Sequence, residues 1–408
     1  VKTLTVSSAL AVTLALAACQ DPAGVGLGLI GEEGTRPTAL PVAADTAETV
    51  AIETAAIGFA QESGDRPQSR VLVGDVVDPA FGDVQATAYL DAVQPSAIDG
   101  DLEADEVRAV WVELRREYAY GDTTTTLPLA LRQISGSASW EADPSYPADT
   151  TLATGDVLAT ATATTAPADT LVRFDLPEAW VRENAATFLS DEADFLREFE
   201  GFAVGTAEGF VPAPGVVYGF STLARLGTRI RVAVPDDTLD FGLGEVFSSI
   251  RHEAPVAPPP TALPARSSTA GAALHFDFSE VGPLPLARAA LRVPIESGLM
   301  EEGAFVRPVA QRVLVEGVRA DGGRRVLGEI ELVGGELRPT VLAAPDFTDV
   351  LQDALVEESE TGVPVYRRFE FIFPSAAPAL NVFPVVRPDA PQEAVPRFSL
   401  TVIGGPSA

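Results

Sequence analysis

From about residue 46 onward, apolar and polar residues alternate in short runs, the two-residue period of strands with one buried face. In Thr228 to Val234, Ile230, Val232 and Val234 share one face while Arg229 and Arg231 take the other. Val107 to Leu114 is apolar on both faces and suits a strand covered on both sides. Later runs of the same kind are 274–278, 287–293, 311–318, 326–333, 365–373 and 398–403. Gly, Pro and Asp punctuate these runs, as at Gly121-Asp122, where a turn leads into four threonines.

The period changes to that of a helix in three places. Trp180, Val181, Ala185 and Phe188 recur at helical spacing after Pro177, a residue suited to a first turn. Asp191 to Glu200 groups Phe195, Leu196 and Phe199 and stops at Gly201. Phe347, Val350, Leu351, Ala354 and Leu355 share a face, with Gly362 beyond its end. The pattern therefore predicts a mainly β protein: two β-sandwich or jelly-roll-like domains with a few short helices. The first domain is expected over 46–250, with a helical insertion near 177–200. A stiff Pro-rich linker is expected at 251–268. The second domain takes 269–408, with one helix near 346–358.

The amino-terminal segment follows another pattern. Lys2 is followed by the mostly apolar run Thr3 to Ala15 and by small residues, as in a secretory signal. Leu16-Ala17-Ala18-Cys19 resembles the lipobox of bacterial lipoproteins. That resemblance implies cleavage after residue 18 and a lipid attached at Cys19, with membrane binding through the anchor. An ordinary signal peptide that happens to contain a cysteine is the plainer alternative. Residues 19–45, rich in Gly, Ala and Pro, read as a flexible tether from the lipid. No later apolar run reaches the ~18 residues a spanning helix needs. Cys19 is the only cysteine, so its acylation excludes disulfides, thiolate catalysis and Cys-ligated zinc.

Charge narrows the partners. Net charge is −30 at pH 7, and Lys2 is the only lysine. Such a surface repels nucleic acid. The acids are spread along the chain rather than blocked, which favours adaptation to concentrated salt over a dedicated acidic face.

Several segments line up with one family. Asp78-Pro79-Ala80-Phe81-Gly82 resembles the D-P-x-F-G signature of a lipobox-bearing outer-membrane lipoprotein family catalogued as domain of unknown function 4270. Tyr120-Gly121-Asp122-Thr123 resembles its Y-G-D-T turn, and Phe199-Glu200-Gly201-Phe202 its F-K-G-L segment, with Glu200 where Lys is usual. The resemblance implies an outer-membrane location, on the periplasmic or the surface face, and no stated activity. The D-P-x-F-G stretch and the strands after it also resemble, more loosely, jelly-roll modules that bind polysaccharide. Read on their own chemistry, Asp78 and Pro79 start a turn, Phe81 plugs the end of a sandwich and Gly82 permits positive φ.

No catalytic residue stands out. Gly-x-Ser-x-Gly and His-Glu-x-x-His are absent, and the two histidines, His252 and His275, accompany no nucleophile motif. His275 and Asp277 are expected to form a solvated pair. Gly26 to Gly31 matches G-x-G-x-x-G but lacks the strand before and the helix after that a dinucleotide site requires. The acidic run with Asp99, Asp101, Glu103 and Asp105 is a weak Ca²⁺ candidate that fails the EF-hand pattern at Ala104 and Val110. Trp140 and Tyr146 are candidate ligand contacts if exposed. The expectation is a non-enzymatic binding or accessory subunit of the envelope without metal or cofactor. Its partner would be an outer-membrane protein or, alternatively, a glycan.

Overall fold

The computed structural model describes residues 37–403, apart from 53, 57, 60–68, 97, 99–101, 136–144, 167–169, 300, 332–339, 344, 374–377 and 391–394. The chain is mainly β, with two large antiparallel sheets and three helices among the described residues. None of these helices is long and apolar enough to cross a membrane.

The first sheet closes on itself. Stepping between hydrogen-bonded neighbours through Arg70–Val76, Asp83–Val93, Thr238–Glu253, Arg229–Ala233, Ala109–Asp122 and Gly215–Ser221 returns to the start. The two longest of these strands, Ala109–Asp122 and Thr238–Glu253, change partners midway, which lets six strands form a ring. Phe202–Thr206, Leu127–Ile134 and Thr154–Ala163 extend it beyond Asp83–Val93. Alternation places Ala88, Leu90, Leu129, Leu131, Phe202 and Val204 in the core. The helices Glu178–Leu189 and Glu192–Glu198 add Trp180, Phe188, Phe195 and Phe199 to it. Leu196 is half-exposed, because it lies about 100° around the helix from Phe195.

The second sheet is built around Thr38–Ala51, which pairs with Arg397–Val402 over its first half and with Ala270–Phe276 over its second. A bulge between Ala44 and Thr46 separates the halves. Across the core Phe398 meets Phe276 edge-on at 4.6 Å, and the helix Pro345–Thr361 seats Phe347 against Phe398.

Three boundaries differ from the sequence reading. The tether expected over 19–45 ends before Thr38, because that segment is a strand. Its backbone is satisfied by strands more than two hundred residues away, and it belongs to the second sheet rather than to a domain beginning at 46. The linker expected over 251–268 is strand at both sides of its prolines: Thr238–Glu253 runs into it, and Ala262–Arg266 is a fully buried strand paired with Val382–Val386. Residues 254–261, with four prolines, connect them. The helix expected near 346–358 spans Pro345–Thr361.

The halves share a third core. Leu72, Val76, Phe81, Tyr120 and Val217 pack with Phe305, Leu380 and Val382, and the short strand Phe305–Val306 pairs with Gly121 and Asp122.

Candidate binding recess and buried ion network

Even positions of Asp83–Val93 face the core, so Gln85, Thr87 and Tyr89 stand on the outer face. Register places Ala203 and Gly205 of Phe202–Thr206 beside them, and Ala130 and Arg132 of Leu127–Ile134 beyond. Three small residues side by side leave the sheet face hollow. Residues 151–154 form a wall, held by the Leu152 N–H, which donates to the Tyr89 hydroxyl at 3.1 Å. The result is a recess of about 310 Å³ bordered by Gln85, Thr87, Tyr89, Arg132, Thr151 and Thr154. Tyr89 is stacked on Phe247, its cross-strand partner, at 4.7 Å between ring centroids. Arg132 Nη1 donates to the Gly155 carbonyl at 3.2 Å.

A second recess, of about 360 Å³, lies where the helix Pro345–Thr361 meets Leu286–Val293. There Thr348 Oγ1 and Gln352 Oε1 accept from the backbone N–H groups of Ala289 and Leu286 beside a register shift. These bonds satisfy a sheet edge, which is a structural task.

The D-P-x-F-G segment sits between the two halves. Asp78 is fully buried, and Arg307 reaches it from the second half through Nε to Oδ2 at 2.8 Å and Nη2 to Oδ1 at 2.9 Å. The Tyr120 hydroxyl donates to Oδ2 at 2.5 Å, and the Ala80 N–H donates to Oδ1 at 2.9 Å. Burial alone would raise the carboxyl's pKa, but the bonds from Arg307 and Tyr120 and the Arg307 charge outweigh it, holding Asp78 below the ordinary carboxylate range. Arg266, also fully buried, donates to the Gly82 carbonyl at 3.1 Å and to the Tyr120 oxygen at 3.2 Å. Phe81 fills the shared core, and Gly82 holds φ at +83° where any Cβ would strike the Glu253 carbonyl.

The histidines lie apart. His252 is half-buried with Nε2 3.2 Å from the Phe81 carbonyl, and burial, with Arg266 nearby, pushes its pKa down. The solvated His275–Asp277 pair does not form. His275 Nε2 faces Glu48 Oε1 at 3.3 Å, while Asp277 caps the Ser279 N–H, because the strand ends between them.

Of the other sequence candidates, Leu16, Ala17, Ala18, Cys19, Gly26 to Gly31, Asp99, Asp101 and Trp140 lie outside the described residues, as does the Tyr146 side chain. The Tyr146 backbone pairs with Ala55. Glu103 caps the turn Ala104–Glu106. Among the described residues no three His, Cys, Asp or Glu side chains gather as a metal site. Sequence reasoning passed over Arg307, Arg266, Thr87 and Arg132. The one available signal was an arginine set in each of the apolar runs around 263–266 and 305–309.

Among the other perturbed carboxyls, Asp91 is raised furthest. Asp91 lies at the bulge opposite Gly244; burial first, and Glu245 second, raise its pKa to about 7. The folded state therefore holds this proton more tightly than the unfolded chain, and stability falls as pH rises from about 4 to about 7. Asp91→Asn should melt above the wild type at pH 8.5 and lose that advantage at pH 5. Parallel thermal melts at fixed salt check this, and an offset independent of pH would exclude it.

No family model matches the chain, and no curated protein matches it. The likeness to the lipobox-bearing family therefore rests on the motifs themselves.

Proposed function

We propose that the chain is an outer-membrane lipoprotein, anchored through Cys19, with a non-enzymatic binding or accessory role at the cell envelope. The observation that carries this reading is the lining of the outer-face recess. Its described residues offer hydroxyls, an amide and a guanidinium, groups that hold a ligand by hydrogen bonds. The shared core and the buried Asp78–Arg307 pair between the halves support it too, since a joined two-domain body suits a scaffold that presents a surface.

Two experiments test the reading. Cys19→Ser should move the protein from the membrane to the soluble fraction, and continued membrane residence would sink the anchor. The tagged protein, purified at high salt from detergent-solubilised membranes, should bring a stoichiometric outer-membrane or surface protein with it. The alternative, an envelope carbohydrate-binding module, is favoured by the polar lining of the recess. Trp140 and Tyr146 have no part in that argument.

A further inference from the structure

Resting on that binding role, we propose that the recess on the outer face of the first sheet is a saccharide subsite for a neutral, hydroxyl-rich sugar unit. Small-molecule pockets are mostly apolar with a few placed polar groups. This one reverses the proportion, so it suits a ligand that carries its own hydrogen-bonding groups.

The lining is not consumed by the fold. The hydroxyls of Thr87, Thr151 and Thr154 make no side-chain hydrogen bond among the described residues. Tyr89 accepts from Leu152 and keeps its own O–H to donate. Gln85 donates to Asp75 at 3.3 Å and keeps its carbonyl oxygen. The Gly155 carbonyl holds one end of the Arg132 guanidinium and leaves its other N–H groups free to point at a ligand oxygen.

Gly205 is the second observation. Glycine inside a strand weakens it and often marks a place where a ligand or another backbone approaches closely. Here the fold does not require glycine. Its φ lies outside the left-handed region, and a Cβ would meet only the Thr87 side chain, at an ordinary 3.5 Å. Its bareness keeps the floor of the recess open.

Charge selects among sugars. Among the described residues no carboxylate lines the recess, while the Arg132 guanidinium does, which favours a hydroxyl-rich ligand over a cation. The net charge of −30 disfavours an anionic polymer in dilute salt, a repulsion screened to about 3 Å in molar NaCl, and leaves a neutral one unaffected in either.

The test uses the full-length chain, solubilised in detergent and kept in molar NaCl. It is passed over two immobilised probes: deproteinised polysaccharide from the envelope of the producing cells, and laminarin, a neutral glucan foreign to them. Retention on the first is expected; retention on laminarin alone would give the same subsite an environmental sugar. Arg132→Gln and Thr87→Val should each weaken retention, Arg132→Gln by roughly tenfold. Gly205→Leu, which fills the recess, should abolish it with an unchanged melting temperature. Should that variant fail to fold, the near-isosteric Thr87→Val carries the test. Absence of retention on both probes overturns the subsite, as does retention that these variants keep. Release by alginate in preference to neutral fragments overturns the neutral class. A stoichiometric protein partner without glycan retention removes the subsite alone, whereas neither partner nor retention removes the binding role as well.

Discussion

Asp78→Asn is expected to destabilise the protein by about 3–5 kcal/mol, the usual cost of breaking a buried pair from one side. The physical reason is the charge left behind. Arg307 and Arg266 are both fully buried, and Asp78 is the carboxylate that Arg307 binds through two nitrogens. Asparagine keeps the shape and can still accept one bond, but it removes the buried carboxylate that Arg307 holds through two nitrogens. Because Asp78 and Arg307 come from opposite halves, the loss should also loosen the joint, read as faster proteolysis between the sheets. Arg307→Met gives a distinguishing sign. With Arg307 in place the Asp78 pKa is lowered, so its contribution is present above pH about 3.8 and is lost as pH falls below that. Without Arg307, burial dominates and the pKa rises. The variant should then lose stability as pH climbs, opposite to the wild-type pair. Denaturant titrations at several pH values check both; a loss below 1 kcal/mol for Asp78→Asn, or pH slopes of equal sign, would refute the account.

The parts of this fold legible in the sequence are those whose faces differ in hydropathy. Arg229–Ala233 announces itself because Ile230 and Val232 are buried while Arg229 and Arg231 pair outward with Asp240. Ala109–Asp122 misleads slightly: Trp111 points outward, yet it is covered by Arg173, whose guanidinium carbon lies 4.3 Å from the ring centroid. The strand Thr38–Ala51 escapes notice because small residues, threonines and Pro41 give it little amphipathic contrast, and its partners lie far along the chain. Ala262–Arg266 escapes because its prolines suggest a connector; Pro264 sits opposite Pro384 on a strand whose other neighbour pairs only at Arg266. The sites follow the same rule. Asp78 to Gly82 reads locally as a turn, but its ion partner is 229 residues away. The recess exists only once Ala130, Ala203 and Gly205 are brought abreast by register, which no local window contains.

Helical spacing carries the second large prediction. Phe188 is fully buried on Glu178–Leu189 and meets Phe241 at 5.3 Å, Phe199 at 5.6 Å, and Trp180 and Phe195 at 6.0 Å between ring centroids. It joins the two helices to the ring of strands, since Phe241 belongs to Thr238–Glu253. Phe188→Ala removes a ring with neighbours on several sides and leaves a cavity that rigid strands cannot close. The expected loss is about 3–5 kcal/mol. Leu196→Ala, on the neighbouring helix but half-exposed, should stay within about 0.5 kcal/mol, because little area is uncovered. The contrast is the test, since both positions lie in one aromatic-rich stretch and intrinsic helix propensity favours alanine at either. Equal losses in a denaturant titration would mean that helix formation, rather than burial against the sheet, sets the stability of this segment. The expected inequality makes the insertion an integral part of the first core, so that cutting 177–200 out of the chain would unfold the sheet on which the recess stands.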